Sequence, residues 1–360
     1  MTLIVEDMQR RLVRYAELVP CTTAFVDTRT PGSDKKENFT IIGPGVSESP
    51  DQHVHIAEPH GFNIGGARQP GGCVNSQHSH DTAEVFVVHS GRWRLIFGPD
   101  GKDGHLDVAP GDVASVPIHM FRGFKKLDED VGFLWVVLGG DDPGKVTWAP
   151  NVFDMAASYG LKLLKGGRLI DTAAGETLPE GAALEQPPSE AELKALATPP
   201  AEKLADCVLT SAQMRGEPNS PLAREGVEEC PVITTAPTGD GFRPGPIVGW
   251  WPHGFALRCL KMRSGARVPR HIRDEEEVIF VHRGALTVGW DGSEVVVGAG
   301  DTLTVPKGLA RAFQAGISGD TVAFVVRGGD APGAPRFVEP DAPGAGASSV
   351  SSGAALRSAG

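Results

Sequence analysis

The sequence lacks an apolar run close to the ~20 residues that a membrane-spanning helix requires, so no membrane segment is expected. Its first twenty residues carry too many charges, from Glu6 to Arg14, for a secretory signal. The five cysteines are odd in number and form no C-x-x-C pair, which argues against a disulfide framework and favours a cytoplasmic location. An excess of basic charge is also missing. The net charge is −11 with no basic stripe, so nucleic acid is not an expected partner.

Glycine and proline are abundant, with 46 and 29 residues, and the hydrophobic 40% of the sequence is spread in short runs. This combination favours short strands joined by turns over long helices. The 360 residues allow two domains, each with its own core. The expected fold class is therefore all-β.

Two stretches of the sequence carry the same residues at the same spacing. The motif Pro-His-Gly-Phe begins at Pro59 and again at Pro252, and the residues that follow match at a constant offset of 193: Gly72 and Gly265, His78 and His271, Glu84 and Glu277, Gly91 and Gly284. A constant offset indicates a duplicated structural unit. One matched position differs, because the first copy has His80 where the second has Arg273. This difference suggests one working metal centre and one copy that has lost it.

The pattern along the chain divides it into five segments. They are an N-terminal helix (1–20) and irregular arm to residue 52, a β domain at 53–150, a partly helical connection at 151–230, a second β domain at 231–340 and a disordered tail at 341–360. In the connection, Ser189 carries a helix N-cap signal. In the first β domain, apolar runs at 85–89 and 92–97 flank Ser90-Gly91 and predict a two-residue hairpin, and the second domain repeats this around Arg283-Gly284. A further strand is predicted at Val113–Val116, and Asp291-Gly292 predicts another tight turn.

His78 and His80 stand two residues apart on a predicted strand, so their side chains point to one face. A short polar break follows, and Glu84 opens the next strand of a predicted antiparallel pair, which would bring its carboxylate beside the two imidazoles. Two neutral imidazoles and one carboxylate form the facial ligand set of non-haem Fe(II) oxygenases. The sequence therefore predicts one divalent metal ion, Fe(II) first, with Mn(II), Ni(II) or Zn(II) also compatible.

The spacing Gly72-x5-His78-x-His80-x3-Glu84-x6-Gly91 resembles the first motif of the cupin superfamily at every spaced position. The second cupin motif is matched in part by Gly111-x5-Pro117, and the second copy keeps Gly265-x5-His271, Glu277-x6-Gly284 and Gly300-x5-Pro306-x-Gly308. The resemblance implies a bicupin: two tandem cupin barrels, of the double-stranded β-helix or jelly-roll type, joined by the partly helical connection. The first motif is specific for a fold and weak for a reaction.

The departures from the family pattern mark further candidate residues. Arg122 stands where the family has its last metal-binding histidine, and we expect it to orient the carboxylate of a substrate. His119 is a candidate replacement ligand or acid/base group. His60 is a second candidate ligand, although its twin His253 favours a buried hydrogen bond in both copies.

The second copy has Arg273 and Arg311 at two ligand positions of the first. The favoured expectation is that Arg273 forms an ion pair with Glu277 and fills the old site without metal. A pocket in which the two arginines bind an anion is the alternative.

These features predict a metal-dependent oxidoreductase, a bicupin dioxygenase that uses Fe(II) and O2 on a small carboxylic acid, aromatic acids included. Bicupin ring-cleaving dioxygenases with metal in only one barrel are similar in this respect. The alternatives are a metal-dependent isomerase or decarboxylase of a small acid or sugar, and a non-catalytic ligand-binding bicupin. Exposed sheet edges make a homodimer an expected assembly.

Overall fold

The computed structural model describes residues 3–234, 245–247 and 251–338. Within these residues the chain is built mainly of β-strands, and the few helices are short: α1 (Val5–Gln9), α2 (Pro150–Ser158), α3 (Glu190–Ala195) and α4 (Ala201–Ala205). None of the described helices is long and apolar enough to cross a membrane. The capping box at Ser189 and Glu192 starts α3, as the sequence predicts. The predicted disordered tail, 341–360, lies outside the described residues.

The first part of the chain contributes twelve strands, and all but the first of them lie in the two sheets of one barrel. In chain order they are β1 (Leu12–Val13), β2 (Glu37–Ile42), β3 (Val54–Ile56), β4 (Phe62–Gln69), β5 (Val74–Ser79), β6 (Glu84–Ser90), β7 (Trp93–Phe97), β8 (Gly104–Val108), β9 (Val113–Val116), β10 (Arg122–Lys126), β11 (Gly132–Gly139) and β12 (Thr147–Trp148). Together with β15 (Val208–Leu209), the strands after β1 form two sheets that face each other. One sheet has seven strands in the order β15-β9-β6-β11-β4-β2-β3, and the other has five in the order β12-β5-β10-β7-β8.

A small hairpin and the second barrel follow. The remaining strands are β13 (Leu161–Leu163), β14 (Leu169–Asp171), β16 (Val227–Ile233), β17 (Phe255–Met262), β18 (Arg267–Ile272), β19 (Glu277–Arg283), β20 (Ala285–Trp290), β21 (Ser293–Gly298), β22 (Thr302–Val305), β23 (Arg311–Ala315), β24 (Thr321–Gly328) and β25 (Arg336–Phe337). Here the order β1-β22-β19-β24-β17-β16 forms one sheet and β21-β20-β23-β18-β25 the other. The predicted all-β fold of two tandem jelly-roll barrels is confirmed.

The predicted hairpins are wrong, although their strands exist. Strand β6 pairs with β9 and β11, whereas β7 pairs with β8 and β10 in the opposite sheet. Gly91 has a φ of 77°, and the chain crosses there from one sheet to the other. Gly284, with φ 79°, has the same role in the second barrel. The tight turn predicted at Asp291-Gly292 does join a hairpin, because Trp290 and Ser293 are register partners.

The N-terminal segment also differs from the predicted helix over residues 1–20. Its only α-helix among the described residues is α1. The chain then extends, so that Leu12 pairs with Leu303 of the second barrel, and one 3-10 turn follows at Tyr15–Glu17. In turn, β15 from the connection pairs with β9 of the first barrel. The sheet of the first barrel also takes in β2, a segment that the sequence assigns to the irregular arm. The short strand before the first barrel, β1, thus completes a sheet of the second barrel, and the short strand before the second barrel, β15, completes a sheet of the first. We call this arrangement the arm exchange.

The larger sheets of the two barrels pack against each other around one shared apolar core. The contacts repeat across this interface: His60 Nε2 lies 2.7 Å from the Thr304 hydroxyl, and His253 Nε2 lies 2.7 Å from the Ser115 hydroxyl. Arm contacts repeat as well, since the backbone N–H of Tyr15 donates to Asp301 and that of Ser211 donates to Asp112. The two repeats are thus related by an approximate twofold arrangement.

Candidate metal centre

The predicted ligand residues come together inside the first barrel. His78 lies near the end of β5, His80 follows the strand, and Glu84 opens β6 in the facing sheet. The two strands do not form the predicted antiparallel pair, but the jelly-roll corner between them brings the same three side chains together. All three are buried, and one donor atom of each lies within 4.8 Å of the others.

The imidazole rings of His78 and His80 are both in the neutral form that can bind a metal ion. His78 Nδ1 lies 2.7 Å from the Ser76 carbonyl and donates to it, which leaves Nε2 as the unprotonated nitrogen. Ser76 itself is held by Asp27, which forms a fully buried ion pair with Lys36. Burial, followed by the charge of Arg122, lowers the pKa of His78 to about 3. The same two causes lower the pKa of His80 well below its ordinary value, so both rings are neutral at physiological pH.

Glu84 is held by Arg122. The guanidinium Nε donates to Oε2 at 3.0 Å, Nη2 lies 2.9 Å from the same oxygen, and Nη1 donates to the Met120 carbonyl at 3.3 Å. The other carboxylate oxygen, Oε1, lies 3.7 Å from His80 Nε2. Burial raises the pKa of Glu84, and Arg122 opposes that effect. Because Arg122 occupies one oxygen, the remaining oxygen is directed to the imidazoles.

This geometry differs from the predicted role of Arg122. The side chain is fully buried behind Glu84 and is not among the residues that line the cavity at the ligand cluster. Its nitrogens face oxygens of Glu84 and Met120, and its contact with a substrate stays a prediction. We therefore regard Arg122 as a positioning residue for Glu84.

The two candidate replacement ligands lie elsewhere. The His119 side chain is 55% exposed and its Nε2 lies 3.4 Å from Asp81, in a residue with a φ of 56°. Both ring nitrogens of His60 are engaged, with the Glu58 carbonyl and with Thr304. Neither belongs to the buried donor cluster, which among the described residues consists of the three predicted ligands.

The donor set fits a divalent metal ion. Two neutral imidazoles and one oriented carboxylate supply three donors, and the small separation of their atoms suits a single ion. His80 Nδ1 has no hydrogen-bond partner among the described residues, so the ring of this residue is less firmly oriented than that of His78.

A small cavity adjoins the donor cluster, with a volume of about 70 Å³. Its walls are largely apolar, and its aromatic members are Phe25, Phe39, Phe86, Phe124 and Trp148. The Trp148 ring lies 5.4 Å from that of His78, and its Nε1 donates to Glu48 at 2.6 Å. Burial raises the pKa of Glu48 to about 8, partly offset by this hydrogen bond. Phe25 and Trp148 were missed by the sequence analysis because they lie outside the repeated motif.

The corresponding place in the second barrel has another composition. Glu277 is paired with Arg311, whose Nη2 lies 2.8 Å away, and not with Arg273 as predicted; Arg273 donates to the Gly333 carbonyl. The pair Arg311–Glu277 repeats Arg122–Glu84. Burial by itself would raise the pKa of Glu277, but the surrounding arginines lower it to about 2. The described part of this barrel holds no cluster of three metal donors.

Strand register reveals further differences that the sequence analysis missed. Arg258 pairs with Val325 where Gly65 pairs with Val136 in the first barrel. Arg327 is the register partner of Glu277, as Leu138 is of Glu84, so Arg327 occupies the position of Leu138. Glu229 pairs with Leu260 as Asn38 pairs with Ala67, so Glu229 occupies the position of Asn38. Gly65, Leu138 and Asn38 all line the cavity of the first barrel. The second barrel therefore has charged side chains where the first has an apolar cavity.

Comparisons with known proteins agree with this architecture. The cupin domain family matches residues 260–327, within the second barrel. Oxalate decarboxylase from Bacillus subtilis at pH 4.6 is similar over 91% of this chain and 78% of its own, with a TM-score of 0.54 and 13% identity. The formate complex of the Lactobacillus farciminis oxalate decarboxylase is similar over 91% and 88%, with a TM-score of 0.54 and 13% identity.

A further Bacillus subtilis oxalate decarboxylase structure, from work on its Mn(II) centres, is similar over 91% of this chain and 79% of its own, with a TM-score of 0.51 and 13% identity. No curated protein matches the sequence. At these identities the likeness concerns the fold, and it confirms two tandem cupin barrels.

Proposed function

We propose that this bicupin binds one divalent metal ion through His78, His80 and Glu84 and acts on a small carboxylic acid, with decarboxylation as the leading reaction. The observation that carries the proposal is the buried cluster of three donors beside a cavity in the first barrel. The sequence alone favoured Fe(II) and a dioxygenase. The similar solved structures are oxalate decarboxylases, one of them described by its Mn(II) centres, and they support the decarboxylase alternative.

Charge supports an acidic substrate. Glu84 and Arg122 cancel each other, so a bound divalent ion leaves a surplus positive charge in a buried site with apolar walls. A buried surplus charge is costly unless an opposite charge is supplied. A carboxylate ligand supplies it, and it needs no further cation from the protein.

Cavity size supports a small acid. An apolar cavity of about 150 Å³ is what accommodates a benzene ring in another protein, whereas the cavity here is about 70 Å³. An aromatic acid therefore fits poorly, and an acid of a few carbon atoms fits well. The small cavity also disfavours a ring-cleaving reaction.

The roles of the residues follow from their positions. His78 and His80 donate neutral imidazole nitrogens, Glu84 donates a carboxylate oxygen, and Arg122 keeps that carboxylate oriented. A bound divalent ion would supply Lewis-acid polarisation of the substrate carboxylate. The apolar walls exclude bulk water, which favours loss of a charged carboxylate as neutral CO2. In the net reaction one carbon–carbon bond breaks, CO2 leaves and a proton takes its place.

The first test is metal content. We expect elemental analysis to find about one equivalent of a divalent transition metal per chain, because one three-donor site is complete. His80→Arg copies the residue of the second barrel and should abolish binding, whereas His119→Ala should leave it unchanged. Full metal content in His80→Arg would rule out the proposed ligand set.

The reaction is then tested by supplying oxalate and other two- to four-carbon acids to the metal-loaded protein. Release of CO2 without stoichiometric O2 uptake supports decarboxylation. Stoichiometric O2 uptake would instead establish the dioxygenase, a second candidate favoured by the two-histidine, one-carboxylate ligand set. Metal-dependent binding of an acid without turnover would indicate a ligand-binding bicupin. An isomerase would convert the acid without either gas.

A cytoplasmic location and a homodimer remain predictions from the sequence. The second is checked by measuring the mass of the native protein in solution.

A further inference from the structure

The interior of the second barrel contains an unusual number of buried arginines. Arg258, Arg273, Arg311 and Arg327 are each 1% exposed or less, and the carboxylates beside them are Glu229 and Glu277. At the matching positions the first barrel has Gly65, His80, Arg122 and Leu138. Among the described side chains, the first barrel therefore has one balanced pair, Arg122 with Glu84, whereas the second has more buried arginines than carboxylates.

Part of this charge is neutralised within the protein. Arg311 pairs with Glu277 at 2.8 Å, and Arg258 pairs with Glu229 at 3.3 Å. Arg258 and Arg273 make further interactions inside the protein, so neither of them carries the argument.

Arg327 is different. It forms no ion pair with a carboxylate of the described residues, its Nη1 donates to the Gly333 carbonyl at 3.3 Å, and its Nη2 is buried with no hydrogen-bond partner among them. Burial and the charges of Arg273 and Arg258 lower the pKa of Arg327 to about 9, which still leaves it protonated at neutral pH. A buried guanidinium without a carboxylate partner is costly unless an anion completes it.

A second buried group of this barrel also lacks a partner. His271 is fully buried, its Nδ1 donates to the Pro269 carbonyl, and its Nε2 has no partner among the described residues. It is the twin of the ligand His78, so its ring occupies the equivalent place in the barrel. A metal ion is disfavoured there because the surrounding charge is positive.

We propose that the second barrel is an anion site that binds a small dianion, a dicarboxylate or phosphate, with Arg327 as its principal donor. The guanidinium fork suits two oxygens of such an anion. A dicarboxylate and phosphate are both small dianions but differ in shape, so one of each serves as a probe. The proposal does not depend on the reaction proposed for the first barrel.

The experiment is calorimetric titration of the metal-free full chain with inorganic phosphate and, separately, with oxalate, so that oxalate cannot bind to a metal ion in the first barrel. Arg327→Leu installs the residue that the first barrel has at this position, and Arg267→Leu removes an exposed arginine of the same barrel as a matched control. We expect at least one probe to bind, Arg327→Leu to weaken it at least tenfold, and Arg267→Leu to change it less than twofold. Binding should persist in His80→Arg, which separates this site from the first barrel.

Folding of the variant is checked by thermal unfolding. Without anion, Arg327→Leu should melt at or above the wild-type temperature because a buried charge is removed, whereas the stabilisation by the anion should disappear. Absence of binding by both probes, unchanged binding in Arg327→Leu, or loss of binding in His80→Arg or Arg267→Leu would each overturn the proposal.

Discussion

The two barrels share a frame and an ion pair but differ in what fills the interior. Arg122–Glu84 and Arg311–Glu277 occupy matching positions with matching hydrogen bonds. Around the first pair lie two imidazoles and an apolar cavity, and around the second lie additional arginines. The arginine that pairs with the glutamate is therefore common to both barrels and does not by itself distinguish the donor cluster of the first barrel from the interior of the second. The loss of the second histidine and the arrival of cationic side chains separate the two barrels.

The largest expected effect comes from converting the second barrel into the first. Arg273→His alone should bind no metal, because Arg327, the register partner of Glu277, still places a buried positive charge beside the donors. Adding Arg258→Gly, Glu229→Asn and Arg327→Leu restores the composition of the first barrel, and we expect the metal content to rise to about two equivalents per chain once three donors face a neutral interior. Elemental analysis measures this. A second equivalent in Arg273→His alone would show that the arginines do not control metal binding.

A smaller effect should distinguish the two ion pairs. Removing one partner of a buried pair costs about 3–5 kcal/mol, because the other charge stays buried. Arg122→Met should have this full cost in metal-free protein, since no other arginine lies among the causes that shift the pKa of Glu84. Arg311→Met should cost less, because Arg273 and Arg327 also act on Glu277. Denaturant unfolding of both variants tests this, and equal or reversed costs would contradict it.

The smallest effect concerns acid. The pKa of Glu277 is lowered to about 2 from an ordinary 4.5, so its contribution to stability is present above pH 4.5 and is lost as the pH falls toward 2. A pKa lowered by this much in the folded protein corresponds to a contribution of ~3 kcal/mol to the free energy of unfolding. Glu277→Gln should be less stable at neutral pH and should lose less stability between pH 4.5 and 2. Unfolding midpoints of the variant and the wild type across this range measure the difference. Parallel pH profiles would exclude a role of this carboxylate.

The sequence predicted most of what local patterns encode. Strand β9 and the turn at Asp291-Gly292 were predicted at their observed places because apolar runs and turn residues are local signals. The three metal-ligand candidates were found for the same reason, since they span only seven residues. The hairpin at Ser90-Gly91 was predicted wrongly, because a turn signal does not tell which sheet the next strand enters.

The missed features depend on pairing between distant strands. Arg258 and Arg327 meet inside one barrel only because β17 and β24 are in register. The two-residue strands of the arm exchange have too few residues for a periodic pattern. The ion pair of Glu277 was assigned to Arg273, the residue nearer in sequence, whereas Arg311 reaches it from β23.

The arm exchange has a consequence for synthesis on the ribosome. The sheet of the first barrel receives its edge strand only when Val208–Leu209 has emerged, well after the rest of that barrel. Leu12–Val13 is made almost first and has no partner until Thr302–Val305 is translated. At typical elongation rates of about 5–20 residues per second, this early strand stays unpaired for tens of seconds. The first barrel therefore matures in two stages during translation, and one of the first strands to be made is paired only after most of the chain has been translated.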